Sequence, residues 1–260
     1  YFLKFDQQMG KARLDLSLQY QKSRLGMPGP QPPEKFADRN QTQQILGNDE
    51  ISTPYDYTIN SIFSINSRLK WKKFNLQFFE NRWQPESHFE YIWVNHTLVD
   101  TTPRTLVSGI FANYQLESGK NILTIGGEIE NDNFDYSSFT KPIGGASQST
   151  LFSAHRLLKG YYLDYLLKSK LLVLNIGLRY DKPSDFPSQL SPRISILWKL
   201  APELSLKSSY GIAYRAPTLN QLYWPDSDVM NYRGNPDLLP EKNRNFELGF
   251  EKLWGNNLLL

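Results

Sequence analysis

The chain has 260 residues, enough for one large all-β domain, and 14% of them are aromatic. It has no cysteine, which excludes a disulfide framework and a thiolate metal site. Its net charge of +3, from 29 basic and 26 acidic residues spread along the chain, offers no basic stripe of the kind that nucleic acid requires.

The chain opens with "YFLKF" and closes with "NNLLL", both in mid-pattern, so it reads as a piece of something longer. Its apolar runs, such as "LLVL" at 171–174, fall far short of the roughly 18 residues of a spanning helix. Period two dominates instead. In "RLDLSLQY" (13–20), Leu14, Leu16, Leu18 and Tyr20 alternate with polar residues. "LLVLNIGLRYD" (171–181), "ELSLKSSYGIAYR" (203–215) and "RNFELGFEKLW" (244–254) repeat the pattern. Strict alternation is the mark of a strand with one apolar face, and a helical period fits none of these segments.

Tight turns are expected at 8–11, 70–73, 117–120, 168–170, 200–203 and 254–257. Longer connections fall between them, at 22–56, 84–104, 135–156 and 215–242, with a shorter one at 182–191. Short turns therefore gather at one end of the sheet and long loops at the other. The spacing leaves about twelve strands of ten residues or slightly more, close to the 9–11 that a tilted membrane strand needs. Outer-membrane barrels have this asymmetry, with an apolar outer band, a polar lumen and aromatic girdles. Tyr20, Tyr180, Trp198, Tyr210 and Tyr214 lie near strand ends on the apolar face, where girdle rings belong. The fold class is thus all-β: an antiparallel transmembrane β-barrel with short periplasmic turns and long extracellular loops. The alternative is a soluble β-sheet domain, carbohydrate-binding or structural, which also alternates apolar and polar residues. Strand length and the segregation of the loops favour the barrel.

Catalytic motifs are missing. His88, His96 and His155 fall in expected loops without metal-type spacing. "EIENDNFD" (128–135) sets Glu128, Glu130 and Asp132 at spacing two, with Asp135 beyond. Carboxylates so spaced could hold a calcium on one strand face; a solvated lumen face and loop is the preferred reading, and no metal is assigned. "GG" at 144–145 reads as a mobile loop.

Five motifs occur in order on expected strands and loops: "GLRYD" (177–181), "LSPR" (190–193), "YRAPTLNQLY" (214–223), "GNPDLLPEK" (234–242) and "ELGFE" (247–251). Together they closely resemble the late barrel of TonB-dependent outer-membrane receptors. "RLGMPGPQPP" (24–33) loosely resembles an outer loop of cobalamin- and siderophore-type members. The resemblance implies a bacterial outer-membrane location and a barrel of 22 strands, of which this chain carries about twelve. It implies that 1–260 is a C-terminal part of the barrel domain, with the N-terminal plug and the final strands lying outside this chain. It further implies TonB-dependent uptake of cobalamin or a ferric siderophore, with no enzymatic step and no cofactor. TonB would act through the missing N-terminal segment, and the other partners are the ligand and outer-membrane lipid.

On that resemblance, ligand would meet aromatic and polar loop groups: Tyr223, Trp224, Tyr232 and Arg233 first, then Trp83, Trp93 and Tyr136. The alternative for each ring is packing within its own loop or anchoring at the membrane interface. Arg215, Pro217, Asn235, Pro236, Pro240 and Glu241 would shape the long loop and pair charges at the rim. Its prolines restrict φ and the residue before each of them.

Overall fold

The computed structural model describes residues 1–26, 56–91, 97–142, 144–225, 233–254 and 258–259. The strands are β1 (Phe2–Met9), β2 (Ala12–Gly26), β3 (Tyr57–Trp71), β4 (Phe74–Tyr91), β5 (Thr97–Thr101), β6 (Arg104–Ser118) and β7 (Asn121–Pro142). They continue with β8 (Gln148–Lys168), β9 (Leu172–Pro183), β10 (Gln189–Ala201), β11 (Leu204–Arg215), β12 (Glu241–Trp254) and β13 (Leu258–Leu259). A short helix, α1 (Leu219–Tyr223), interrupts the connection between β11 and β12. All strands form one antiparallel sheet in which each pairs with its sequence neighbours. The exceptions are β4 and β7, each of which pairs with both β5 and β6, which do not pair with each other. β5 and β6 are one strand interrupted at Thr102–Pro103, so the sheet has twelve positions.

The interruption has a cause. The β4–β6 ladder ends at Trp83↔Thr105 and the β4–β5 ladder begins at Ser87↔Thr101, which leaves Pro85 opposite the break. A proline has no N–H for a ladder, so it is tolerated where the ladder is already broken.

Tight turns close the hairpins at one end. Gly10, Lys72 and Gly119 occupy the left-handed region there (φ 60°, 51° and 58°), as two-residue turns require. The expected turn at 254–257 falls largely outside the described residues.

At the other end the expectation needs correction. Much of 84–104 and 135–156 is strand rather than loop: β4 continues to Tyr91, and β7 and β8 run 22 and 21 residues. Beyond the membrane both faces meet water or protein, so alternation fades although pairing continues. His88 and His155 are accordingly strand residues, and His96 lies outside the described residues. His88 Nδ1 is 2.7 Å from Asp100 Oδ1 across the β4–β5 ladder, and its ring packs on Tyr57. Gly144 and Gly145 sit in the β7–β8 turn, where the Gly145 N–H donates to Pro142 O at 3.3 Å.

Through the tight-turn half of the sheet, one face is apolar and uncovered. The row Tyr165–Ile176–Ile194–Tyr210–Phe246 crosses β8 to β12 as direct ladder partners. Ile176 is 45% exposed and Phe246 66%. Among the described residues no second layer packs on these side chains, so they do not form the two-layer arrangement of a soluble sandwich. Tyr20, Tyr180, Trp198 and Tyr210 are exposed in the same way. Tyr214 is not: it is half-buried and lines an internal cavity. β11 ends at the next residue and the chain turns inward toward α1, which takes Tyr214 out of the girdle.

The opposite, inner face is polar, and several of its charges are paired. Arg179 bridges Glu128 and Asp181, the second at 2.7 Å. Arg193 meets Asp164 at 2.6 Å, and Lys207 pairs with Glu251. Glycine makes room for these long side chains. A Cβ on Gly160 would lie 2.8 Å from Arg179 Nη2, and one on Gly177 would lie 2.4 Å from Arg193 Nε.

Candidate functional site

The connection between β11 and β12 builds the site. "RAP" leads from Arg215 into a buried Pro217. Thr218 then caps α1 reciprocally: its hydroxyl accepts from the Gln221 N–H at 3.2 Å, and Gln221 Oε1 accepts from the Thr218 N–H at 2.9 Å. This is a capping box, and the T-x-x-Q spacing at 218–221 is its sign in the sequence, within a segment expected to be loop.

The far end of the connection returns to α1. The Gly234 N–H donates to Trp224 O and the Asn235 N–H to Gln221 O, both at 2.8 Å. Gly234 is required by this contact, since a Cβ there would lie 2.5 Å from Trp224 N and 2.6 Å from Leu222 O. Asn235–Pro236–Asp237–Leu238 forms a turn closed by Leu238 N–H to Asn235 O at 3.2 Å. The Asn235 side chain accepts from the Asp237 N–H at 3.0 Å. Asparagine first and proline second suit such a turn. Pro240 then leads into β12. Arg215 and Glu241 are ladder partners with a 3.6 Å ion pair, both well exposed.

Leu219 and Leu222 of α1 are buried. Phe134, Tyr136 and Leu219 form a core with Phe152, Ala154, Tyr223 and Trp224 packed around it. Trp224 stacks on Phe134 (centroids 5.9 Å apart) and meets Tyr136 edge-on (5.0 Å). Tyr223 lies 5.9 Å from Phe152. Phe134 and Leu222 are each only 1% exposed. The connection is thereby docked on the outer parts of β7 and β8. Tyr136 stands well beyond the 9–11 residues that cross a membrane, and burial pushes its phenol above the usual range while a bond to Ser138 opposes the shift.

Beside this cluster lies a cavity of about 590 Å³. Trp83, Val107 and Phe134 give it apolar wall, Glu130, Asp132, Arg156, Arg179 and Asp181 give it charge, and Tyr214 and Thr218 approach from the connection. Arg156 grips Asp185 through two nitrogens, at 2.8 and 2.7 Å. Asp132 Oδ1 and the Tyr214 hydroxyl are enclosed without a hydrogen-bond partner in the described protein. Such a concave site, mostly apolar with convergent polar groups, suits binding rather than covalent chemistry.

Of the residues expected to meet ligand, the structure brings Tyr136, Tyr223 and Trp224 into one aromatic cluster and sets Trp83 in the cavity wall. Arg233 adjoins the Gly234 contact. Trp93 and Tyr232 lie outside the described residues, as does most of "RLGMPGPQPP". Glu128 is committed to Arg179, and Asp135 points to the other face, where it accepts from the Ser153 hydroxyl at 2.7 Å. Among the described residues no three His, Asp or Glu side chains are grouped to hold a metal ion. Sequence reasoning misses Phe134, Phe152, Arg156 and Arg179: Phe134 and Arg179 look like ordinary strand residues, and Phe152 and Arg156 fall in an expected loop, until the connection folds onto them.

Comparison with known proteins agrees with this architecture. Residues 4–260 match the family described as TonB dependent receptor-like, beta-barrel. Over 82 residues the chain is 35% identical to the vitamin B12 transporter BtuB of Vibrio cholerae serotype O1, covering 32% of this chain and 12% of that protein. Over 103 residues it is 33% identical to the iron-regulated outer membrane virulence protein of the same species, covering 38% and 16%. Its fold superposes on the siderophore receptor PirA of Acinetobacter baumannii with a TM-score of 0.68 at 19% identity, covering 98% of this chain and 40% of that one. The chain thus spans a minor part of the proteins it matches. The chain belongs to the TonB-dependent receptor β-barrel family, whose members reside in the bacterial outer membrane.

Proposed function

We propose that residues 1–260 form part of the wall of a receptor for TonB-dependent uptake of a scarce, large nutrient, cobalamin or a ferric siderophore. The plug, the TonB-contacting segment and the closing strands would come from the rest of the parent chain. The observation that carries this reading is the docked connection: its two described ends, 215–225 and 233–240, are hydrogen-bonded to each other, and the first packs on β7–β8 beside a cavity lined by rings and charged groups. A permeability wall alone has no need of an aromatic cluster docked on its inner face. Relatives named for vitamin B12 and iron regulation support this ligand class.

The protein would act by binding and release, without enzymatic chemistry. Ligand held at the outer end would pass inward once TonB displaces the plug. Equilibrium binding of the full-length receptor to cyanocobalamin and a panel of ferric siderophores is the test. Micromolar or tighter binding of one of them is expected, and binding of none overturns the assignment.

A further inference from the structure

We infer that the outward face carries a binding site for phosphate-bearing lipid headgroups of the outer leaflet, centred on Lys159 and Lys182. These two lysines are direct ladder partners on β8 and β9. Both are exposed, and neither makes an ion pair or side-chain hydrogen bond in the described structure. Like charges placed directly opposite on a sheet destabilise it unless something neutralises them. Their face is the lipid face, since one step inward on the same rows stand Tyr161 and Tyr180, also direct partners and both exposed.

The height is set by counting. Lys159 and Lys182 stand about nine or ten residues from the tight-turn ends of β8 and β9, roughly the length of a membrane crossing. Lys22 on β2, Arg82 on β4 and Arg244 on β12 stand at nearly the same distance from the inner ends of their strands and share the apolar face. Arg82 is already paired with Glu80; Lys22 and Arg244 make no ion pair in the described structure. The collar thus coincides with the outer boundary of the apolar band. Anionic headgroups are the anions available at that depth, and charge complementarity selects them as occupant. Tyrosines beneath the lysines would anchor at the headgroup level while the ammonium groups reach the phosphates.

The test uses the full-length receptor in detergent, titrated with bis-phosphorylated lipid A and with the same lipid dephosphorylated. Native mass spectrometry reads the bound lipid. Near a membrane surface each lysine is worth about five-fold in affinity, so the double variant Lys159→Gln/Lys182→Gln should lose roughly 25-fold for the phosphorylated form. The variant Lys159→Arg/Lys182→Arg should keep it, and heat resistance of the barrel in the Gln variant reports that the wall is intact. Equal binding by the Gln variant overturns the proposal, as does equal binding of the dephosphorylated lipid by the wild type.

Discussion

The two halves of the sheet are stabilised in opposite ways. In the tight-turn half, large side chains such as Ile176, Ile194 and Phe246 face outward with no protein over them. They depend on lipid, and the wall is held by continuous ladders and paired inner charges. In the loop half, Phe134, Tyr136, Leu219 and Leu222 are buried by protein and pack as the core of a soluble domain does. One sheet therefore obeys two solvents, and its only compact apolar core among the described residues lies outside the membrane, where the connection docks.

Substitutions should separate the halves. Phe134→Ala removes the centre of the docked cluster and should cost about 3–5 kcal/mol locally. Limited proteolysis of the full-length receptor should then cut within 214–242, while the barrel keeps its heat resistance. Loss of heat resistance instead would merge the two regions into one cooperative unit. Ile194→Arg acts in the other half and should cost roughly 2–4 kcal/mol near the bilayer midplane, read as a lower urea midpoint of the lipid-refolded barrel. Protease sensitivity of the connection should not change.

Smaller effects sharpen the picture within the loop half. Gly234→Ala forces the second foot off α1 and should cost about 1–3 kcal/mol, as overpacking does; hydrogen exchange at Asn235 should quicken while that of β11 does not. Trp224→Ala should weaken ligand binding and leave heat resistance unchanged; equal affinity would remove Trp224 from the site. Thr218→Ala removes the cap and should cost about 1 kcal/mol, visible as faster exchange in α1 alone.

Legibility followed the same division. The alternation at 13–20, 171–181, 203–215 and 244–254 marked real strands with the correct faces, because lipid on one side and lumen on the other impose period two. Glycine and lysine at 10–11, 72–73 and 119–120 marked real turns. The proline-bearing "RAP" and "GNPDLLPEK" marked the ends of the connection. Beyond the membrane the signals weakened. "QPESHFEY" reads as loop because proline and charges break the alternation, yet its backbone pairs through Tyr91. Tyr214 fits the girdle pattern, and the inward turn after it sends the ring to the cavity instead.

By itself the sequence determined which segments cross the membrane, which face meets lipid, where the hairpins turn and which family the motifs resemble. These are local properties, written in period two and in residues that tolerate unusual φ. Only the tertiary structure decided that Trp224 stacks on Phe134, that Arg179 holds both Glu128 and Asp181, and that Gly234 closes the connection onto α1. The long-range pairs, Trp224 with Phe134 and Arg179 with Glu128, join residues distant in the chain. They arise from the summed register of successive strands and the fold-back of one loop, which no short stretch of sequence encodes.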